Sequence, residues 1–121
     1  MAVTYTTALK NTRLDAVTTA IGAAGKLEIG TAGMAAVLAT IPLANPAAPG
    51  AASGILTFTM PQSDTSADGT GTAAAARIRT GADADVITGM TVGTSGTDII
   101  LNSTSITTGQ QVTINSATIT D

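Results

Sequence analysis

Hydrophobic and polar positions alternate in short runs along most of the chain, and one stretch breaks that rhythm. Between Thr6 and Ile21, the residues Leu9, Leu14, Ala16, Val17, Ala20 and Ile21 fall, at about 100° per residue, in a band roughly half the circumference wide. That spacing predicts a helix. Thr6 or Thr7 can cap its start, and Gly22 can end it in the left-handed conformation. Thr12, Thr18 and Thr19 weaken it, because β-branched side chains lose rotamer freedom in a helix. Lys10 and Arg13 sit on or beside the apolar arc, so their stems can cover a sheet edge while their charges reach water or an acidic partner.

The rest reads as strands. Lys26 to Ile29 is a short one bounded by glycines. Val37, Ala39, Ile41 and Leu43 alternate with Leu38, Thr40 and Pro42, and Pro42, having no donor, predicts that this strand lies at an edge or ends there. A Pro/Gly crossing loop follows. Leu56, Phe58 and Met60 then share one face opposite Ile55, Thr57 and Thr59. The segment PQSDTSADGTG reads as a polar loop. In TAAAARIRT, Ala74, Ala76 and Ile78 oppose Ala75, Arg77 and Arg79, a half-exposed strand with its arginines outward. VITGMTV is another strand, with Gly89 as a bulge. Further strands are expected at Asp98 to Leu101, around Ile106, and from Gln111 to Thr120. In the last, Val112 and Ile114 share one face and Ala117 and Ile119 the other, which requires a bulge near Asn115-Ser116 or burial on both sides. A chain closing on a strand is expected to have its C-terminus tied into the sheet. The expectation is a mainly β single domain: residues 1–22 form an N-terminal arm and helix, and residues 26–121 a β-sandwich or jelly roll of seven to eight short antiparallel strands.

Composition sharpens this picture. The 121 residues suit one domain, but the core has one Phe, one Tyr and no Trp to draw on, against 24 Thr and 23 Ala. Burial must come from aliphatic side chains, at about 25 cal/mol per Å². A free monomer of this kind is expected to gain from burial against partners. Charged residues make up 11% and the net charge is −3, with no basic run, which argues against nucleic acid. The stretch from Ile29 to Ser63 is uncharged, yet Pro42, Pro46 and Pro49 interrupt it, so no membrane-spanning helix of about 20 residues fits. The N-terminus lacks the basic-then-apolar pattern of a secretion signal.

The chain has no Cys and no His. This removes thiolate metal sites, the usual general base, and Ser–His or Cys–His catalysis. Glu28 is the only Glu, which leaves little for a paired-carboxylate hydrolase. The string Gly22 to Lys26, GAAGK, lacks both the spacer and the hydroxyl residue of a phosphate loop and reads as a helix end plus turn. Asp64, Asp68, Asp83 and Asp85 lie in two loops that could converge on calcium, although Asp is also a common turn residue. Asn102-Ser103-Thr104 matches the glycosylation sequon, here taken as chance. Arg77 and Arg79 read as a solvated strand face or a contact patch.

The segments NTRLDAVTTAIGAAGKLEIGT, LATIPLANPAAPGAASGILTF, SDTSADGTGTAAAARIRT and VGTSGTDIILNSTSITTGQQVTINSATIT together resemble a family of small structural proteins of tailed-bacteriophage particles, of the head-decoration type. The likeness spans nearly the whole chain, and SDTSADGTGTA and GTDIILNSTSITTGQ are its most specific parts. Ala75 and Ala76 depart from it, standing where bulkier side chains are expected. The resemblance implies a virion structural protein with no active site and no cofactor, located on the capsid surface. Its partners would be the major capsid protein and copies of itself, as a homo-oligomer or as symmetry-related neighbours. Contacts are expected from Tyr5, Leu9, Lys10 and Arg13, and from Arg77 and Arg79. A tail, neck, baseplate or fibre-attachment subunit is the alternative. A carbohydrate-binding jelly roll is a third reading, disfavoured by the scarcity of aromatic residues.

Overall fold

A computed structural model describes residues 5–45, 47–60, 62–101 and 103–120 of the chain. The fold is mainly β with one N-terminal helix, as the residue pattern predicts. Helix α1 (Thr7–Ile21) is capped by Thr6, whose Oγ1 accepts the Leu9 N–H at 3.2 Å. Gly22 ends it at φ 76° and ψ −166°, a positive φ as expected but outside the left-handed helical region. The buried stripe is narrower than predicted. Leu14 and Ile21 are buried and Val17 is half-buried, while Leu9, Ala16 and Ala20 face solvent. Polar clamps hold the helix in place of a broad apolar face. Asn11 Oδ1 accepts the Gly54 N–H at 3.0 Å, and Asp15 Oδ1 accepts the Ala51 N–H at 2.7 Å.

Among the described residues there are ten strands: β1 (Lys26–Gly30), β2 (Val37–Pro42), β3 (Ile55–Thr57), β4 (Gln62–Asp64), β5 (Gly71–Thr72), β6 (Ala75–Arg79), β7 (Asp85–Gly93), β8 (Ile99–Leu101), β9 (Ser105–Ile106) and β10 (Val112–Thr120). Eight of them form one sheet in the order β2-β1-β6-β7-β8-β10-β3, with β4 also on β10, and β5 pairs with β9 as a separate ribbon. Two corrections follow. The segment read as a polar loop contains β4 and the start of β5, because Gln62 to Asp64 continue the line of β3 along β10, opposite Ile114 to Val112. One pair, β7–β8, is parallel, at Val92↔Ile99 and Gly93↔Ile100.

The sheet curls until β2 packs beside β4. Pro42 ends β2, the outermost strand of the order, as its missing donor requires. The outer backbone of β2 does not stay bare. Asp68 and Gly69 both donate N–H to Leu38 O, at 2.7 and 3.2 Å, and the Thr40 N–H donates to Asp64 Oδ2 at 3.1 Å. Covering an edge in this way blocks pairing with another chain. Asp64→Ala leaves the partly buried Thr40 donor without its charged acceptor and is expected to cost about 1.5 kcal/mol. Urea unfolding checks the cost, and faster exchange of the Thr40 amide shows where it arises.

Both expected bulges are present. On β7, Thr88 and Gly89 together oppose Arg77, with Gly89 at φ 75°, and a second irregularity sits at Val86. On β10 the register slips between Ile114 and Ser116, so Val112 and Ile114 are buried before the break and Ala117 after it. The core runs in cross-strand rows. One is Ala39–Ile29–Ala76–Met90 and another is Ile41–Leu27–Ile78–Ile87. Small and large side chains alternate along the first row, so Ala76, fully buried, sits between larger neighbours.

Candidate contact surfaces

Two surface clusters gather most of the residues singled out above, and they lie toward opposite ends of α1. The first is at its start. Tyr5, Leu9 and Ile55 are the large hydrophobic residues that stand exposed among the described residues, at 46%, 44% and 39% of full accessibility. Thr6 caps the helix through the Leu9 amide, and the Arg13 guanidinium lies over the Tyr5 ring, 4.6 Å from its centroid. Ile55 stands apart from them: Gly54, just before it, is bonded to Asn11, which lies about 160° round the helix from Leu9. The Ser53-Gly54 turn has φ 55° and 72°, and the reciprocal Ala52 and Ile55 backbone bonds close it. Lys10 is half-buried beside Leu9. Tyr5, Leu9, Lys10 and Arg13 thus lie together on the first turns of the helix.

The second cluster is the outer face of β1, β6 and β7, near the helix C-terminus, where Gly81 packs against Ala24. Arg77 is directly opposite Glu28 in the register, and its Nε donates to Glu28 Oε1 at 2.6 Å. Arg79 lies 3.7 Å from the same oxygen. Its Nε is 2.8 Å from Asp85 Oδ1, an ion pair lacking hydrogen-bond geometry, and its Nη2 donates to Asp83 O at 2.6 Å. Lys26 pairs with Asp83. The arginines do point outward, but two anions, Glu28 and Asp85, hold them. Glu28 is 8% exposed and is the buried charged residue among those described. Sequence reasoning missed its role, since strand alternation turns Glu28 outward without revealing that β6 is the neighbour.

The hydrogen bond from Lys26 holds the Asp83 carboxyl below its ordinary 3.8, and the ammonium charge acts in the same direction. A lowered folded-state pKa contributes stability above the unfolded value, and that contribution is lost as pH falls through the folded one. Asp83 sits at φ 65°, which Asn also tolerates. Asp83→Asn is therefore expected to lower the denaturation midpoint at neutral pH. Its gap to the parent should close as the pH drops from about 5 to about 2.

The four loop carboxylates do not converge. Asp64 binds the Thr40 and Ser66 amides and Asp68 the Thr40 hydroxyl, whereas Asp83 and Asp85 belong to the ion pairs of the second cluster. No group of three or more acidic residues gathers as a metal site among the described residues. The GAAGK string follows a helix, where a phosphate loop precedes one, and its Lys26 is taken by Asp83. Asn102 of the sequon lies outside the described residues. No helix among the described residues is long and apolar enough to cross a membrane.

Neither family models, nor curated proteins, nor solved structures gave a match to this chain.

Proposed function

We propose that this chain is a structural subunit of a tailed-bacteriophage particle that decorates the outside of the head. The observation that carries this reading is the exposure of Tyr5 and Leu9 together at the start of α1. Tyr and Arg are the side chains that dominate protein contacts, and Tyr5 and Arg13 already stack here. Low charge density and the absence of His and Cys favour a contact role over chemistry. The resemblance of the SDTSADGTGTA and GTDIILNSTSITTGQ segments supplies the particle.

In this role the patch docks on the major capsid protein near a boundary between subunits, with neighbouring copies adding contacts. Binding the mature shell in preference to its loosened form shifts the equilibrium toward the shell by mass action. The second cluster, internally neutralised, keeps β1, β6 and β7 in register behind that patch. Imaging of particles carrying a labelled copy of the chain tests the location. Many copies spread over the head are expected. A few copies confined to the tail or neck would overturn the head assignment and favour the tail-subunit reading.

A further inference from the structure

The lane of the sheet occupied by β8 runs on, empty, beyond its first residue. β8 lies between β7 and β10, with Ile99 opposite Val92 on one side and Ala117 on the other. Going backward from Ile99, the chain keeps its place for one more residue. Asp98 O accepts the Thr118 N–H at 3.1 Å, and Asp98 Oδ2 accepts the Thr91 N–H at 3.0 Å and its hydroxyl at 3.2 Å. It then bends away through Gly96 at φ 69°. β7 and β10 continue without it.

On the lane side, no strand among the described residues opposes Ile87–Met90, although β6 pairs with β7 on the other side. The edge of β10 can be read from its ladder. Phe58 N–H donates to Ala117 O at 2.9 Å, so Ala117 and Ile119 direct their backbone toward β3, and Thr118 and Thr120 toward the lane. Asp98 takes the Thr118 donor, and the lane lies before Thr120. The lane itself is a groove of about 280 Å³ walled by Ile87–Met90, Ile119 and Thr120, with Asp98 at its closed end. A Cβ on Gly89 would meet nothing within 4 Å, so the backbone at the bulge is open to approach. Asp98 is exposed and has no cation paired with it among the described residues.

Bare backbone edges are recognised by an extended peptide that adds a strand. We propose that this lane receives an extended segment of a partner polypeptide, apolar at alternate positions and carrying Lys or Arg at the end beside Asp98. The segment runs antiparallel to β7, the stronger of the two pairings. The backbone ladder supplies affinity, the half-buried Ile87 and Ile119 meet its apolar side chains, and Asp98 selects its direction. This inference stands apart from the particle reading, because any partner with that chemistry satisfies it.

The test uses the full chain and the peptide acetyl-Lys-Val-Thr-Val-Thr-amide, followed by backbone amide exchange. Slowed exchange at Thr120 and within Ile87–Met90, unchanged at Leu56, is expected. The same peptide N-methylated at alternate amides should have no effect, and Thr120→Pro, which removes a lane donor, should weaken binding. A peptide led by Glu should bind about threefold more weakly, a gap that closes in Asp98→Asn, which keeps an oxygen for Thr91. No slowing with any peptide would overturn the proposal. So would equal protection by the N-methylated peptide, which marks a merely apolar groove. Concentration-dependent protection without peptide would overturn it too, assigning the lane to a second copy.

Discussion

Phe58→Ala is expected to destabilise the domain by about 4 kcal/mol, the largest effect of any single substitution considered. Phe58 is 2% exposed and is the one Phe of the chain, so the core holds no second large ring to fill the space it leaves. Its position adds to the effect. Its amide bonds to Ala117 O, joining β3 to β10 just beyond the bulge that switches the buried face. A cavity there opens where Ala117, a small side chain, cannot reach across. Total stabilities are typically about 5–15 kcal/mol, so the variant loses a large part of its margin. Guanidinium unfolding should show a much lower midpoint with a similar slope. Tyr5→Ala, at an exposed site, is expected to move the midpoint by an amount worth less than about 1 kcal/mol.

Glu28→Ala is expected to cost about 2–3 kcal/mol. Removing one partner of a buried pair costs roughly 3–5 kcal/mol when the remaining charge is sealed from water. Here the side chains of Arg77 and Arg79 are 25% and 22% exposed, and Arg79 keeps Asp85, so the figure is discounted. The effect belongs to the pairing and not to the carboxylate alone. Arg77→Ala in the Glu28→Ala background should therefore cost clearly less than in the parent, with a coupling of about 1 kcal/mol or more in a double-mutant cycle. Additive losses would mean that the two residues act independently across the β1–β6 ladder.

Local signals in the sequence carried a good part of this fold. The helix, its Thr6 cap and its Gly22 end follow from rules that involve a few neighbours. The Gly89 bulge and the slip at Asn115-Ser116 follow from one glycine and one reversal of alternation. Partnership was not legible. Nothing in GTDIIL shows that β8 lies parallel to β7 after a short loop, since hydrophobic alternation is blind to strand direction. Gln62 to Asp64 contains no apolar residue, so alternation could not show it as a strand, and only the β10 edge makes it one. The same limit applies to the surfaces. Tyr5, Leu9, Lys10 and Arg13 are neighbours on one helix turn after another and could be grouped from spacing. Arg77 and Arg79 could be turned outward, but Glu28, 49 residues from Arg77, needed the register. Ala76 looked like a thin place in the core until the rows set Ile29 and Met90 on either side of it.

In the proposed role, the exposed end of α1 fastens this chain to a particle shell and strengthens it. The most direct measurement strips the protein from purified particles, restores either the parent chain or Leu9→Asp, and follows DNA release on heating. Leu9 is exposed, so its replacement leaves the fold intact. Stripped shells are expected to release DNA at a lower temperature, and the parent chain to restore the original one. Leu9→Asp should restore little of it. Equal heat resistance with and without the chain would rule that role out.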